Sequence, residues 1–141
     1  MRFWDSSAVV PLILDEPVRD HLLRILESDS VMVVWWSTPV EIASGVARRE
    51  REGALSLADT SNVLERLRAL ARAWHQVVPG DALRGRAERL LRVHPLGAAD
   101  SVQLAAALAA AGEDPGSLPF VCLDQRLADA ARREGLEVIA P

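Results

Sequence analysis

The chain contains no lysine and no tyrosine, and its only cysteine is Cys122. Each shortage excludes chemistry. Without lysine there is no phosphate loop ending in Gly-Lys, no Schiff base and no lysine general base. Without tyrosine there is no tyrosine nucleophile. A single cysteine makes no internal disulfide, no CxxC redox pair and no cysteine-based zinc site. No apolar run reaches about 18 residues, so no transmembrane helix is expected. The start, Met1-Arg2-Phe3-Trp4-Asp5, meets charge at once and has no signal-peptide hydrophobic region, which makes the cytoplasm the expected location.

What is present is 141 residues, 50% hydrophobic and 26% charged, with a net charge of −4. That length and apolar content fit one domain over residues 1–141 with a sizeable core, and exclude a disordered chain. All 16 basic residues are arginine. Together with the abundance of alanine, this reads first as GC-rich coding, so arginine content alone does not indicate nucleic-acid binding. The chemistry must come from 20 carboxylates, 3 histidines, hydroxyls and arginine.

Along the chain, short apolar segments alternate with helical ones. Arg2 to Asp5 reads as a strand closed by an acid. Residues 8–14 suggest a helix that tolerates Pro11 only in its first turn. Pro17 is expected to open a second helix whose inner face is Leu22, Leu23, Ile25 and Leu26. Val31 to Trp36 is a continuous apolar run, as a strand buried on both faces requires. Thr38-Pro39 starts a third helix, with Glu41 completing a capping box on Thr38, and that helix stops at Gly53. Ser56 caps a helix to about Ala71, and Trp74 to Val78 is a third strand. Residues 80–92 form a helix, and His94 to Gly97 form a loop. Residues 98–111 form an alanine-rich helix ended by Gly112. Residues 119–123 are a strand, 125–134 a helix capped by Gly135, and Leu136 to Ile139 a last strand. The alternation predicts an α/β sandwich around a short, mostly parallel sheet.

In such sheets, sites form beyond the carboxyl ends of the strands. Four acids from distant segments fall there. Asp5 follows the first strand, Asp124 follows the strand at 119–123, and Glu41 and Asp100 lie in the first turns of their helices. Each has a local alternative. Glu41 serves a capping box, Asp100 answers a helix dipole, and Asp124 caps the last helix. Asp5 has no such obvious duty. Two like charges about 4 Å apart repel by roughly 4 kcal/mol at an effective dielectric near 20. A convergent group of carboxylates therefore needs protonation or a cation, and oxygen ligands suit Mg²⁺ or Mn²⁺.

The segments FWDSSAVVPLI, STPVEIASGVARR, HPLGAADSVQLAAAL and FVCLDQRLADAARREGLEVIAP, in this order, resemble a PIN domain of the VapC-type toxin ribonucleases over essentially the whole chain. The resemblance implies a three-layer α/β/α sandwich and an endoribonuclease that uses Mg²⁺ or Mn²⁺. Asp5 and Asp100 would be the principal metal ligands, with Glu41 and Asp124 in support. Water bound to the metal would attack phosphorus, leaving a 3′-hydroxyl and a 5′-phosphate. It also implies a homodimer, an RNA substrate and a VapB-like antitoxin whose C-terminal segment covers the acidic pocket. Two positions depart from the pattern. Cys122 stands where many relatives carry Thr or Ser, and Gly97 stands where relatives with the His-Pro-Leu stretch often carry Arg.

Secondary candidates each carry a local alternative, and for Gln103 and the tryptophans packing is the preferred one. Ser7, more than Ser6, orients the Asp5 carboxylate or caps the turn. Arg48, seven residues after Glu41, binds RNA phosphate through its planar fork or pairs with Glu52. Gln103 shares a helical face with Asp100 and bonds substrate or packs. His94 lies in the loop leading to Asp100, while His21 and His75 read as surface or packing residues. Of Trp35 and Trp36, one stacks on a base or both pack in the core. Cys122 reads as a buried strand residue.

Rival activities fit less well. A phosphoryl-aspartate mechanism of the haloacid-dehalogenase kind needs an acid two residues after Asp5, where Ser7 stands, and a lysine. None of the 8 glycines forms the G-x-G-x-x-G of a dinucleotide site. The remaining alternatives are a catalytically silent PIN-fold module that binds RNA or an antitoxin, and a housekeeping RNA-processing nuclease. With a net charge of −4, RNA contact depends on the metal and on local arginines, such as Arg48, Arg49 and Arg51, or Arg84, Arg86, Arg89 and Arg92.

Overall fold

Side chains alternate across the strands, and their burial follows that alternation. In a computed structural model of the chain, which describes residues 1–140, strand β1 (Arg2–Trp4) turns Phe3 to one face of the sheet and Trp4 to the other. Strand β2 (Met32–Trp35) divides Val33 and Trp35 from Met32 and Val34 in the same way. All four residues of β2 are buried, which is why the segment reads as an unbroken apolar run. Strands β3 (His75–Val77), β4 (Phe120–Val121) and β5 (Val138–Ile139) complete the sheet, in the order β3-β2-β1-β4-β5. All four pairings among the described residues are parallel, with Phe3 opposite both Val33 and Phe120.

Among the described residues, seven α-helices cover the two faces. On one side lie α1 (Ser6–Ile13), α2 (Arg19–Ser28), α3 (Thr38–Arg51) and α4 (Leu57–Ala71), around a core built on Trp4, Val34 and Ile42. On the other lie α5 (Asp81–Val93), α6 (Ala98–Ala111) and α7 (Gln125–Arg133), around Phe3, Leu104 and Phe120. The rings of Phe3 and Phe120 pack tilted, with centroids 5.6 Å apart. The result is the expected three-layer α/β/α sandwich with a parallel sheet.

Helix α6 is deeply enclosed in its middle. Its run from Leu104 to Leu108 is entirely buried, which only the alanines at 105–107 permit at close approach. Gly112 ends it at φ 69°, a conformation that a side chain would oppose. Helix α4 begins as the sequence predicts, with reciprocal bonds between Ser56 and Asp59.

Several boundaries differ from expectation. Helix α1 starts at Ser6 rather than residue 8, so Pro11 falls in its second turn and removes a helical N–H there. Pro17 does not open α2; a turn intervenes and the helix starts at Arg19. Of its four expected inner residues only Leu22 is fully buried, the others being partly buried against the same core. A short 3₁₀ segment, Pro115–Ser117, occupies a stretch with no predicted element. Among the described residues no helix is long and apolar enough to cross a membrane.

Candidate active site

The chain leaves β1 at Asp5, whose backbone N–H donates to the Val121 carbonyl at 3.0 Å. The side chain then caps α1, with Oδ2 accepting from the Ser7 N–H at 3.0 Å and from the Ser7 hydroxyl at 2.5 Å. Asp5 thus has a capping duty that the sequence did not announce. The Ser7 hydroxyl in turn accepts from the Leu123 N–H at 3.0 Å, so one oxygen ties the first strand's acid to the loop after β4. This is hydroxyl support of the kind that Cys122 does not provide. Its thiol lies 3.8 Å from Asp5 Oδ2, a weak contact, and burial among carboxylates pushes its pKa up.

Asp5, Glu41, Asp100 and Asp124 line one cleft of about 330 Å³, together with Ser7 and Arg48. Four elements converge there. Asp124 follows β4 and caps α7, with Oδ1 accepting from the Leu127 N–H at 2.9 Å. Asp100 rides on the first turn of α6, and Glu41 on the first turn of α3. Glu16 and Arg49 also line the cleft, joined by a 2.8 Å ion pair. No local signal marks Glu16, because its place depends on how α1 meets α3. The same pair lines a neighbouring groove of about 410 Å³, so it forms a common wall.

The electrostatics of the cleft are out of balance. Asp5 is only 3% exposed, and its carboxyl is raised to about 6. Burial is the main cause; the Ser7 bonds work against it, and the charges of Glu41 and Asp100 add to it. Asp100 is likewise raised, by burial first and then by the charge of Asp124. Among the described residues, no three acidic, histidine or cysteine side chains stand close enough to hold a metal ion. The donor set is nonetheless all carboxylate oxygen, and it lacks only positive charge at its centre. It therefore fits a hard divalent cation in chemistry, with the carboxylates having to close upon it.

The family model described as PIN domain matches residues 2–133. The chain belongs to the PIN domain family. Solved structures of similar fold include a toxin–antitoxin complex from Klebsiella pneumoniae, with a TM-score of 0.70 and 15% identity, covering 100% of this chain and 98% of that one. FitAcB from Neisseria gonorrhoeae gives 0.70 and 18%, covering 100% and 98%. VapBC2 from Rickettsia felis, bound to a DNA fragment from its promoter, gives 0.67 and 13%, covering 99% and 97%. No curated protein matches the chain.

Within this PIN fold the remaining candidates separate. Arg48 is exposed on the cleft wall and has no ion-pair partner among the described residues, Glu52 included. Gln103 does not reach the cleft surface. It is fully buried, and its Nε2 donates to Glu41 Oε2 at 2.9 Å and to Thr38 Oγ1 at 3.2 Å. The expected capping box between Thr38 and Glu41 is absent for the same reason. Thr38 is the first helical residue and its hydroxyl turns inward to Gln103, while Glu41 Oε1 accepts instead from the Ser37 hydroxyl at 2.9 Å. His94 lies outside the cleft, buried against Glu134, and His21 and His75 are exposed. Trp35 is core, whereas Trp36 is exposed at the end of β2. A Cβ at Gly97 would lie 3.8 Å from Asp100 Oδ2, so any side chain there would stand beside that acid.

Proposed function

We propose that this protein is a Mg²⁺- or Mn²⁺-dependent endoribonuclease and the toxin of a toxin–antitoxin pair. The observation that carries the reading is the convergence of four carboxylates, delivered by four separate elements, in the cleft of a PIN domain. Asp5 and Asp100 are its principal metal ligands, as the resemblance to VapC-type PIN nucleases implies, and both line the cleft as carboxyls that burial and neighbouring acids raise. Glu41 and Asp124 support them. Asp124 keeps one oxygen on the α7 backbone and leaves the other without a protein donor among the described residues.

The bound ion supplies Lewis acidity for water activation and offsets charge on the phosphodiester. The chain's own residues do the rest. Ser7 fixes the Asp5 carboxylate by its 2.5 Å bond. Arg48, free of a competing carboxylate, takes an RNA phosphate through its guanidinium fork. Water adds to phosphorus, and the bond to the 3′ oxygen breaks. That oxygen leaves as a hydroxyl after taking a proton, and the phosphate stays on the 5′ side.

The toxin role and a VapB-like antitoxin partner draw support from the neighbouring structures, two of which are a toxin–antitoxin complex and VapBC2. An acidic cleft is also a natural dock for an arginine from such a partner. Homodimerisation and a cytoplasmic location belong to the same reading. The test is cleavage of single-stranded RNA with Mn²⁺, beside growth on induction of the protein alone. The wild type is expected to cut and to arrest growth, and Asp5→Ala and Asp100→Asn to do neither. Full cleavage or toxicity in either variant sinks the mechanism.

A further inference from the structure

We infer that Gln103 is a positioning residue for Glu41, and that it works as half of a two-donor clamp whose other half is Ser37. The inference rests on the nuclease reading above and adds a residue with no contact to substrate. Glu41 Oε1 accepts from the Ser37 hydroxyl, and Oε2 accepts from Gln103 Nε2, each at 2.9 Å. Both carboxylate oxygens are thereby held, and the side chain has no free rotation about its terminal bond.

The two donors come from different layers of the site. Ser37 precedes α3, one turn ahead of Glu41 on the same element. Gln103 belongs to α6, three residues beyond Asp100 and on the same side of that helix. One helix therefore delivers Asp100 to the cleft and reaches behind it to fix the acid opposite. The second hydrogen of the Gln103 amide goes to Thr38 Oγ1 at 3.2 Å, so both of its donors are spent on α3.

The cost of this arrangement identifies it as more than packing. Gln103 is fully buried, and its Oε1 has no partner among the described residues. A buried carbonyl without a donor is unfavourable, and such exceptions in folded proteins ask for an explanation. Turning the amide over would not relieve it, because the carbonyl would then face the Glu41 carboxylate. The amide orientation is fixed by the acid it serves, and only a donor suits that place. Apart from Ser101, whose hydroxyl bonds the Ala98 carbonyl of its own helix, the other buried residues of α6 are leucine and alanine, so a residue chosen only for core packing at 103 would be apolar.

The test uses Gln103→Met, which keeps the volume and removes the donors. Mn²⁺ binding is measured by titration, RNA cleavage as separate kcat and KM, and folding by the metal-free melting curve. The expected result is a folded protein whose Mn²⁺ Kd rises about 10- to 100-fold, the usual range for losing an outer partner of a metal ligand. The kcat is expected to fall at fixed Mn²⁺ while KM for RNA stays within about two-fold. In a Glu41→Gln background the same change is expected to alter Mn²⁺ affinity less than two-fold further, because the group it positions is gone. A Kd within two-fold of wild type, or a loss that persists in full in the Glu41→Gln background, overturns the inference. Should Gln103→Met fail to fold, Ser37→Ala on the partly exposed side of the clamp reads the same coupling to Glu41, and a neutral effect there is equally fatal. Failure of the nuclease reading is distinguishable, since it shows in the wild type as no Mn²⁺ uptake and no cleavage, and it removes the clamp with it.

Discussion

The carboxylates of the cleft and Glu134, which lies outside it, have been treated in opposite ways. In the cleft, acids face acids: burial pushes both Asp5 and Asp100 up, and then Glu41 and Asp100 add to the shift of Asp5, and Asp124 and Glu41 to that of Asp100. On the α5–α7 side, Glu134 is also pushed up by burial. There, however, hydrogen bonds from Arg89 at 2.8 Å and from the His94 ring at 2.7 Å bring it below its ordinary value. The fold can therefore compensate a buried acid, and it does so where the acid is structural. In the cleft it spends hydroxyls, backbone N–H groups and one amide on the acids but, among the described residues, no ion pair; Arg126 lowers Asp100 only in part, against burial and the charge of Asp124. The one arginine pairing at the cleft, Arg49, goes to Glu16 rather than to any of the four. Charge withheld from a site in this way is charge left for a ligand to supply.

The largest effect that would break this comparison is at Asp5. Asp5→Asn keeps the shape and removes the buried charge. We expect it to abolish RNA cleavage while raising the stability of the chelator-treated protein by about 2–3 kcal/mol at pH 7. Urea unfolding beside an RNA assay reads both. A variant less stable than wild type would mean that Asp5 is a structural acid like Glu134. The reverse is expected of Glu134→Gln. Losing the charged acceptor leaves Arg89 and a buried histidine poorly paired, at a cost of about 1–3 kcal/mol, with cleavage retained if the fold is intact.

The pH dependence of stability separates the two groups by sign. Asp5 has a folded value of about 6 against 3.8 for the free side chain, so the folded state holds the extra proton between those values. Its burial therefore costs stability above pH 6, and the cost is relieved as pH falls through 6. Glu134 lies below its free value of 4.5, so its contribution is present above 4.5 and is lost as pH falls through its folded value. The metal-free protein is expected to melt highest near pH 5. Asp5→Asn should remove the decline towards pH 7, and Glu134→Gln should soften the decline at acid pH. A wild-type melting temperature that climbs from pH 5 to 7 contradicts the assignment.

Much of the fold is legible in the sequence because its signals are local. Ser56 and Asp59 announce a helix start, and Gly112 ends one. The run at 31–36 tells of a strand buried on both faces. The four acids are legible through their places at strand ends and helix starts. What fails to show is any bond between residues far apart in the chain. Thr38 and Glu41 have the spacing of a capping box, but Gln103, 65 residues on from Thr38, takes the hydroxyl instead. His94 stands six residues before Asp100 yet serves Glu134, 40 residues away. Asp5 looked free of structural duty, and its cap on α1 becomes visible only once that helix is seen to begin at Ser6.

The smallest effect concerns the arginines, where the comparison between paired and unpaired groups recurs within the cleft itself. Arg48 and Arg49 are neighbours on α3, and both line the cleft. Arg49 is engaged with Glu16, whereas Arg48 is exposed and unengaged among the described residues. An arginine already satisfied by a carboxylate gains little by exchanging it for a phosphate; an arginine in water gains the full contact. Arg48→Ala is therefore expected to raise KM for RNA about 3- to 10-fold, a modest sum because the site is solvated. It should lower the slope of log affinity against log salt by about 0.7, the value for one single-strand phosphate. Arg49→Ala should leave that slope within error of wild type while loosening the wall that it shares with Glu16. If the two variants instead change the salt slope equally, the phosphate contact is spread over both, and Arg48 loses its separate role.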